Sequence, residues 1–93
     1  MSGIIETTQI SRNPAVLAAE VDGETVMMSI EAGRYYGLDD IGTVIWKRIN
    51  PPCSFSDLVE GLAADYEADR ATIASDVRAL LERMAQEHVV RLD

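Results

Sequence analysis

The hydrophobic pattern of this chain changes period at Leu38-Asp39-Asp40, and that change limits the folds open to it. Upstream, apolar residues alternate; downstream, they recur every three or four positions. Alternation sends successive side chains to opposite faces of a strand, whereas the longer spacing gathers them along one side of a helix. A chain of 93 residues written this way suits one small domain spanning residues 1–93. Its expected build is a sheet followed by helices that bury the sheet's apolar face, the usual α+β solution.

In the alternating half, VLAAEV sets Leu17, Ala19 and Val21 on one face. Asp22-Gly23 follows, a dipeptide suited to a type I′ hairpin because both central residues of that turn need positive φ. TVMMSI then divides into Val26, Met28 and Ile30 on one face and Thr25, Met27 and Ser29 on the other. EAG marks a second turn and RYYGL a third strand. Two successive hairpins predict a three-stranded antiparallel meander. Residues 1–13 are mixed and polar, and Asn13-Pro14 favours an extended or turn start.

In the helical half, Asp39 or Asp40 can cap a first helix, since a side-chain oxygen satisfies free N–H groups of the first turn. Ile41, Val44, Ile45 and Ile49 carry its stripe with Trp46 beside them, and Asn50-Pro51-Pro52 ends it. Ser54 caps a second helix striped by Leu58, Val59, Leu62, Ala63 and Tyr66. Asp69 opens the third and longest, striped by Ile73, Val77, Leu80, Leu81 and Met84 and running to about Glu87. HVVRL reads as a short C-terminal strand. The predicted order is β-β-β-α-α-α-β, a winged-helix-like outline with a three-stranded antiparallel sheet packed on three helices. Trp46, Ile45, Leu58 and Leu62 are assigned to the core.

Residues for catalysis are sparse. Cys53 is the only thiol and His88 the only histidine, 35 positions apart, with no glycine-rich elbow between them. Cys53 reads as a small apolar filler and His88 as a helix-end residue. One Cys with one His does not make a zinc site. Asp39-Asp40 reads as a helix cap before a cation site, and the six glycines are scattered singly rather than grouped into a phosphate loop. An enzyme acting alone, or one needing a cofactor, is not expected.

Charge narrows the partners. Sixteen acidic residues against eight basic ones leave a net charge of −8, and Lys47 is the only lysine. Phosphate-rich nucleic acid and anionic membranes are therefore disfavoured. The helix-turn-helix outline keeps a DNA-binding regulator as the alternative reading. Residues 69–88 nonetheless hold four acids against three arginines, unlike a DNA reader's basic footprint. The N-terminus lacks a signal-peptide pattern and no apolar run approaches a membrane span. The expected setting is soluble and cytoplasmic.

What remains is RYYGL. In a meander of sequential neighbours the third strand is an edge unless the C-terminal segment covers it. Proteins normally blunt such an edge with lysine, proline or a bulge. Only Arg34 does so here, and Gly37 lets another backbone approach. The edge suits an extended peptide added as a further strand. In the competing reading Tyr36 and Leu38 are core, and Tyr35 is an ordinary strand tyrosine with its hydroxyl in water.

GRYYGLDDIGTVIW followed by SFSDLVEGLAADYEADRATIASDVRALLERMAQEHVV resembles the PqqD-like family over almost the whole chain. The shared series is a G-x-x-Y-x-L strand, an I-G-x-x-I-W helix, a Ser-capped second helix ending in Tyr, and a D-V-x-x-L-L third helix. Within that family it looks most like the discrete leader-recognition proteins of lasso peptide biosynthesis. The resemblance implies a RiPP recognition element, a non-catalytic binder of the leader of a ribosomally made precursor peptide. The leader would add beside the third strand, in a groove between that strand and the third helix. Implied partners are a leader-cleaving cysteine protease and an asparagine-synthetase-like, ATP-dependent cyclase. Carried onto this chain, the groove is Arg34, Tyr35, Tyr36, Gly37 and Leu38 on the strand side. Asp76, Val77, Leu80, Arg83 and Met84 are the candidates on the helix side.

Overall fold

The computed structural model describes residues 3–31 and 33–93. The chain is α+β, as its pattern indicates. A meander of β2 (Val16–Val21), β3 (Glu24–Ser29) and β4 (Arg34–Leu38) forms one antiparallel sheet in the order β2-β3-β4. Asp22 and Gly23 take φ of 54° and 83°, as a type I′ turn demands. The second hairpin closes on Gly33, at φ 64°, whose N–H donates to the Ser29 carbonyl at 2.8 Å.

Three helices follow: α1 (Asp40–Arg48), α2 (Phe55–Tyr66) and α3 (Arg70–Gln86). Asp39, rather than Asp40, caps α1 by accepting from the Gly42 N–H at 2.9 Å. A Cβ on Gly42 would lie 3.2 Å from both the Asp39 carboxylate and the Leu38 side chain, so glycine lets the helix start tight against β4. Ser54 and Asp69 cap α2 and α3 in the same way, accepting from Asp57 and Thr72.

A second three-stranded sheet, unassigned from the sequence, joins the two chain ends. β1 (Gln9–Arg12) lies between β5 (Cys53–Ser54) and β6 (Val90–Leu92). These strands are four, two and three residues long, too short to show a period, and their partners are remote in sequence. The expected C-terminal strand exists, but it pairs with β1 through Ile10↔Leu92 and Arg12↔Val90. It therefore leaves β4 uncovered.

The core lies between the meander's inner face, the helices and the small sheet. Ile10, Ile45, Ile49, Phe55, Val59, Leu62 and Leu81 are sealed from solvent, with Trp46 and Leu58 nearly so. Arg12 locks the small sheet to α1. Its guanidinium stacks 4.5 Å over the Trp46 ring and donates to the Trp46 carbonyl at 2.8 and 3.0 Å. On β3 the buried face is Thr25, Met27 and Ser29, while Val26 faces solvent and Ile30, in the turn that follows, is exposed. The more apolar face of the strand thus points outward.

Candidate functional site

The edge of β4 follows from the two turns. In the type I′ hairpin Val21 and Glu24 form the hydrogen-bonded pair, so alternation directs the backbone groups of Thr25, Met27 and Ser29 toward β4. Their partners on β4 are Leu38, Tyr36 and Arg34. The N–H and C=O of Tyr35 and Gly37 therefore point away from the sheet, where no described strand pairs with them. Five residues of strand present an open edge about 17 Å long.

Beside this edge, β4 and α3 enclose a groove of about 340 Å³. Met27, Leu38, Leu80, Met84 and Val89 supply apolar surface, and Arg83, Glu87, Gln86 and Asp39 supply polar groups. Val89 reaches this wall because α3 ends in a Schellman turn. Val89 N–H donates to Met84 O and His88 N–H to Ala85 O, with His88 at φ 60°. The Asn13 side chain holds that turn, donating to His88 O at 2.6 Å.

A polar bridge crosses from strand to helix. The Tyr36 hydroxyl donates to Glu87 Oε2 at 2.7 Å, and Arg34 Nη1 lies 3.6 Å from the same oxygen. Donating this bond to Glu87, with some burial and the Glu87 charge added, raises the Tyr36 pKa above the ordinary phenol value. Arg34 offsets part of the negative charge.

The structure brings Tyr36, Gly37, Leu38, Leu80, Arg83 and Met84 together around this groove. Asp76 and Val77 lie instead in an adjoining cleft of about 250 Å³ with Ile41, Ile45, Tyr66 and Ile73, and Leu80 belongs to both hollows. Arg34 stands at the Glu87 bridge. The side chain of Tyr35, 75% exposed, shares the outer sheet face with Met28, opposite to Tyr36. Met27, Glu87 and Val89 were not anticipated. Met27 was legible in part, because the Asp22-Gly23 turn directs its backbone groups away from β2 and toward the third strand of the meander. Glu87 and Val89 depend on how α3 ends.

Cys53 is half-buried against the core, and burial chiefly pushes its thiol pKa up, away from a reactive thiolate. His88 is a turn residue. Among the described residues no three His, Cys, Asp or Glu side chains gather as metal ligands, and no helix is long and apolar enough to cross a membrane.

Comparison with known proteins places this geometry. The family described as Coenzyme PQQ synthesis protein D (PqqD) matches residues 24–90. A protein of Xanthomonas euvesicatoria pv. vesicatoria, strain 85-10, called PqqA binding protein, is 30% identical over 99% of this chain and 100% of its own length. Among solved structures, TbiB1 in complex with the TbiA(beta) leader peptide superposes with a TM-score of 0.81. It is 30% identical and covers 87% of this chain and 94% of that one. The PqqD truncation of Methylobacterium extorquens PqqCD shares the fold, with a TM-score of 0.80 at 22% identity over 97% and 96% of the two chains.

Proposed function

This chain belongs to the PqqD family, and we propose from that premise that it is a RiPP recognition element, a non-catalytic binder of the leader of a ribosomally made precursor peptide. The reading rests on one observation above the others: the open edge of β4 lies directly along an apolar groove, in a fold that a leader-peptide complex shares at 30% identity. An extended leader adds as a fourth strand, exchanging main-chain hydrogen bonds with Tyr35 and Gly37. Its alternate side chains turn into the groove against Leu38, Leu80 and Met84. Each apolar side chain buried there contributes about 1.5–3 kcal/mol before ordering costs.

Leader capture in lasso peptide biosynthesis is the specific form of this reading. The chain works in the cytoplasm, delivering the bound precursor to a leader-cleaving cysteine protease and an asparagine-synthetase-like cyclase. The YYGLDDIG series and Ile45-Trp46, within residues 35–46, support that assignment by resemblance, and the likeness to TbiB1 supports leader binding. DNA binding draws no support from these relatives, and a charge of −8 opposes it.

The test is an NMR titration of the isotope-labelled protein with the precursor's leader. The largest amide shifts are expected at Tyr35 and Gly37 and along Leu80–Met84. Shifts confined to other surfaces, or none at millimolar leader, overturn the reading.

A further inference from the structure

The meander has two outer strands, and the one remote from the groove is open as well. β2 ends the sheet, and no described strand pairs beyond it. Val21 and Glu24 close the type I′ turn as a hydrogen-bonded pair, so Leu17, Ala19 and Val21 turn their backbone groups toward β3. The N–H and C=O of Ala18 and Glu20 therefore point out of the sheet. Every residue from Leu17 to Val21 is exposed, Leu17 and Val21 each by 54%. The strand carries no lysine, proline or bulge to blunt this edge. Glu20, whose charge could repel a neighbouring strand, is paired with Lys47.

The sequence VLAAEV is complementary to itself about Ala19. An antiparallel copy centred there sets Ala19 against Ala19, Ala18 against Glu20 and Leu17 against Val21. The outward groups of Ala18 and Glu20 then exchange N–H···O=C bonds in both directions across the twofold axis. On the outer face of the sheet, Leu17 and Val21 cover one another. On the inner face, Glu20 of the second copy lies over a hollow of about 190 Å³ lined by Ala18, Arg12, Trp46 and Lys47. Arg12 contacts the ring and carbonyl of Trp46 and, among the described residues, no carboxylate, so an incoming acid meets an uncompensated cation. A charge of −8 on each copy opposes association at long range. The antiparallel arrangement limits that repulsion, because it puts the acidic Asp22–Glu24 turns at opposite ends of the junction. They stand about 20 Å apart, beyond the screening length of about 8 Å at physiological salt.

We propose that the β2 edge joins a second copy of this chain, making one antiparallel sheet across a twofold axis. The strand order is β4-β3-β2-β2-β3-β4, so both β4 edges stay free at the far ends. The inference goes beyond leader capture and does not depend on it. With leader capture, the pair carries two peptides, one at each end.

Sedimentation equilibrium up to millimolar protein should show a reversible monomer–dimer equilibrium, and a wild type that stays monomeric overturns the proposal. Ala18→Pro removes an outward N–H at a position where an edge strand tolerates proline. Leu17→Thr/Val21→Thr installs β-branched strand residues but removes the apolar pair. Each should raise the dimer dissociation constant at least tenfold, with the circular dichroism unchanged. A smaller effect from both assigns the dimer to another face and overturns the proposal. The register has its own check in a Cys53→Ala background, which removes the native thiol. Ala19→Cys should give a disulfide-linked dimer under mild oxidation, because residue 19 meets its own copy on the axis within disulfide range. Leu17→Cys should not, since the two copies of residue 17 lie about 14 Å apart along the strands. Equal linkage in the two variants, or none in Ala19→Cys, overturns the proposal.

Discussion

Tyr36 and Glu87, 51 residues apart in sequence, are joined by a 2.7 Å hydrogen bond that ties the edge strand to the end of the third helix. The bond spans the groove, so it helps set the distance between the two walls that a bound peptide meets. Glu87 sits where the helix dipole disfavours an acid. The Tyr36 hydroxyl and the Arg34 guanidinium stabilise it there.

Titration of Tyr36 reports on this bridge. Its pKa is raised above the ordinary tyrosine value, first by the hydrogen bond to Glu87 and then by burial and the Glu87 charge. A group with a raised folded-state pKa stabilises the fold below its unfolded value, about 10, and loses that contribution as pH rises through the folded value. The bridge should therefore persist through neutral pH and open only in alkali. The ¹³Cζ shift of Tyr36 should titrate above the usual phenol range, and Glu87→Gln should bring it down.

Gly37→Pro should abolish leader binding while leaving the fold intact. Proline removes the outward N–H and blocks a paired strand, yet edge positions whose N–H faces solvent tolerate it. A Cβ at Gly37 meets nothing within 4 Å, so the position is open to a side-chain atom. Leader affinity by anisotropy, with circular dichroism on the same sample, is the measurement. Retained affinity in a folded variant would remove strand addition as the binding mode.

Leu80 borders both the groove and the adjoining cleft and is only half-buried, so its surface is available to a peptide. Leu80→Ala should weaken leader binding by about 10- to 100-fold, the loss of one apolar contact of 1.5–3 kcal/mol. Tyr35→Ala, on the other face, should change it less than threefold by side-chain loss. Equal effects from the two would mean the peptide does not enter the groove.

His88→Gly should stabilise the protein by roughly 1 kcal/mol. His88 holds φ at 60°, a left-handed conformation that costs an ordinary residue about 1–2 kcal/mol and glycine little, less glycine's greater freedom when unfolded. Asn13 and the Schellman turn bond to the backbone of residues 88 and 89, so the substitution keeps them. Urea denaturation measures the change.

Local chemistry in the sequence carried far. Asp22-Gly23 specified its turn, Asp39, Ser54 and Asp69 marked three helix starts, and alternation in RYYGL announced a strand. Since turn type sets register, even the outward backbone groups of Tyr35 and Gly37 were implicit there. Strands such as Gln9–Arg12 were not legible, because four residues show no period and their pairing depends on partners near residues 54 and 91.

The sequence by itself determined the order of the meander and the three helices, with their caps and turns, because each rests on interactions spanning a few residues. Only the tertiary structure decided that Thr25, Met27 and Ser29 face inward while Val26 and Leu17 face water. Alternation assigns two faces to a strand without saying which one the helices will cover. The groove likewise exists only because the Schellman turn at His88 brings Val89 back against Met84 and leaves Glu87 within reach of Tyr36. Those contacts join residues from both halves of the chain, and no local rule reaches across that distance.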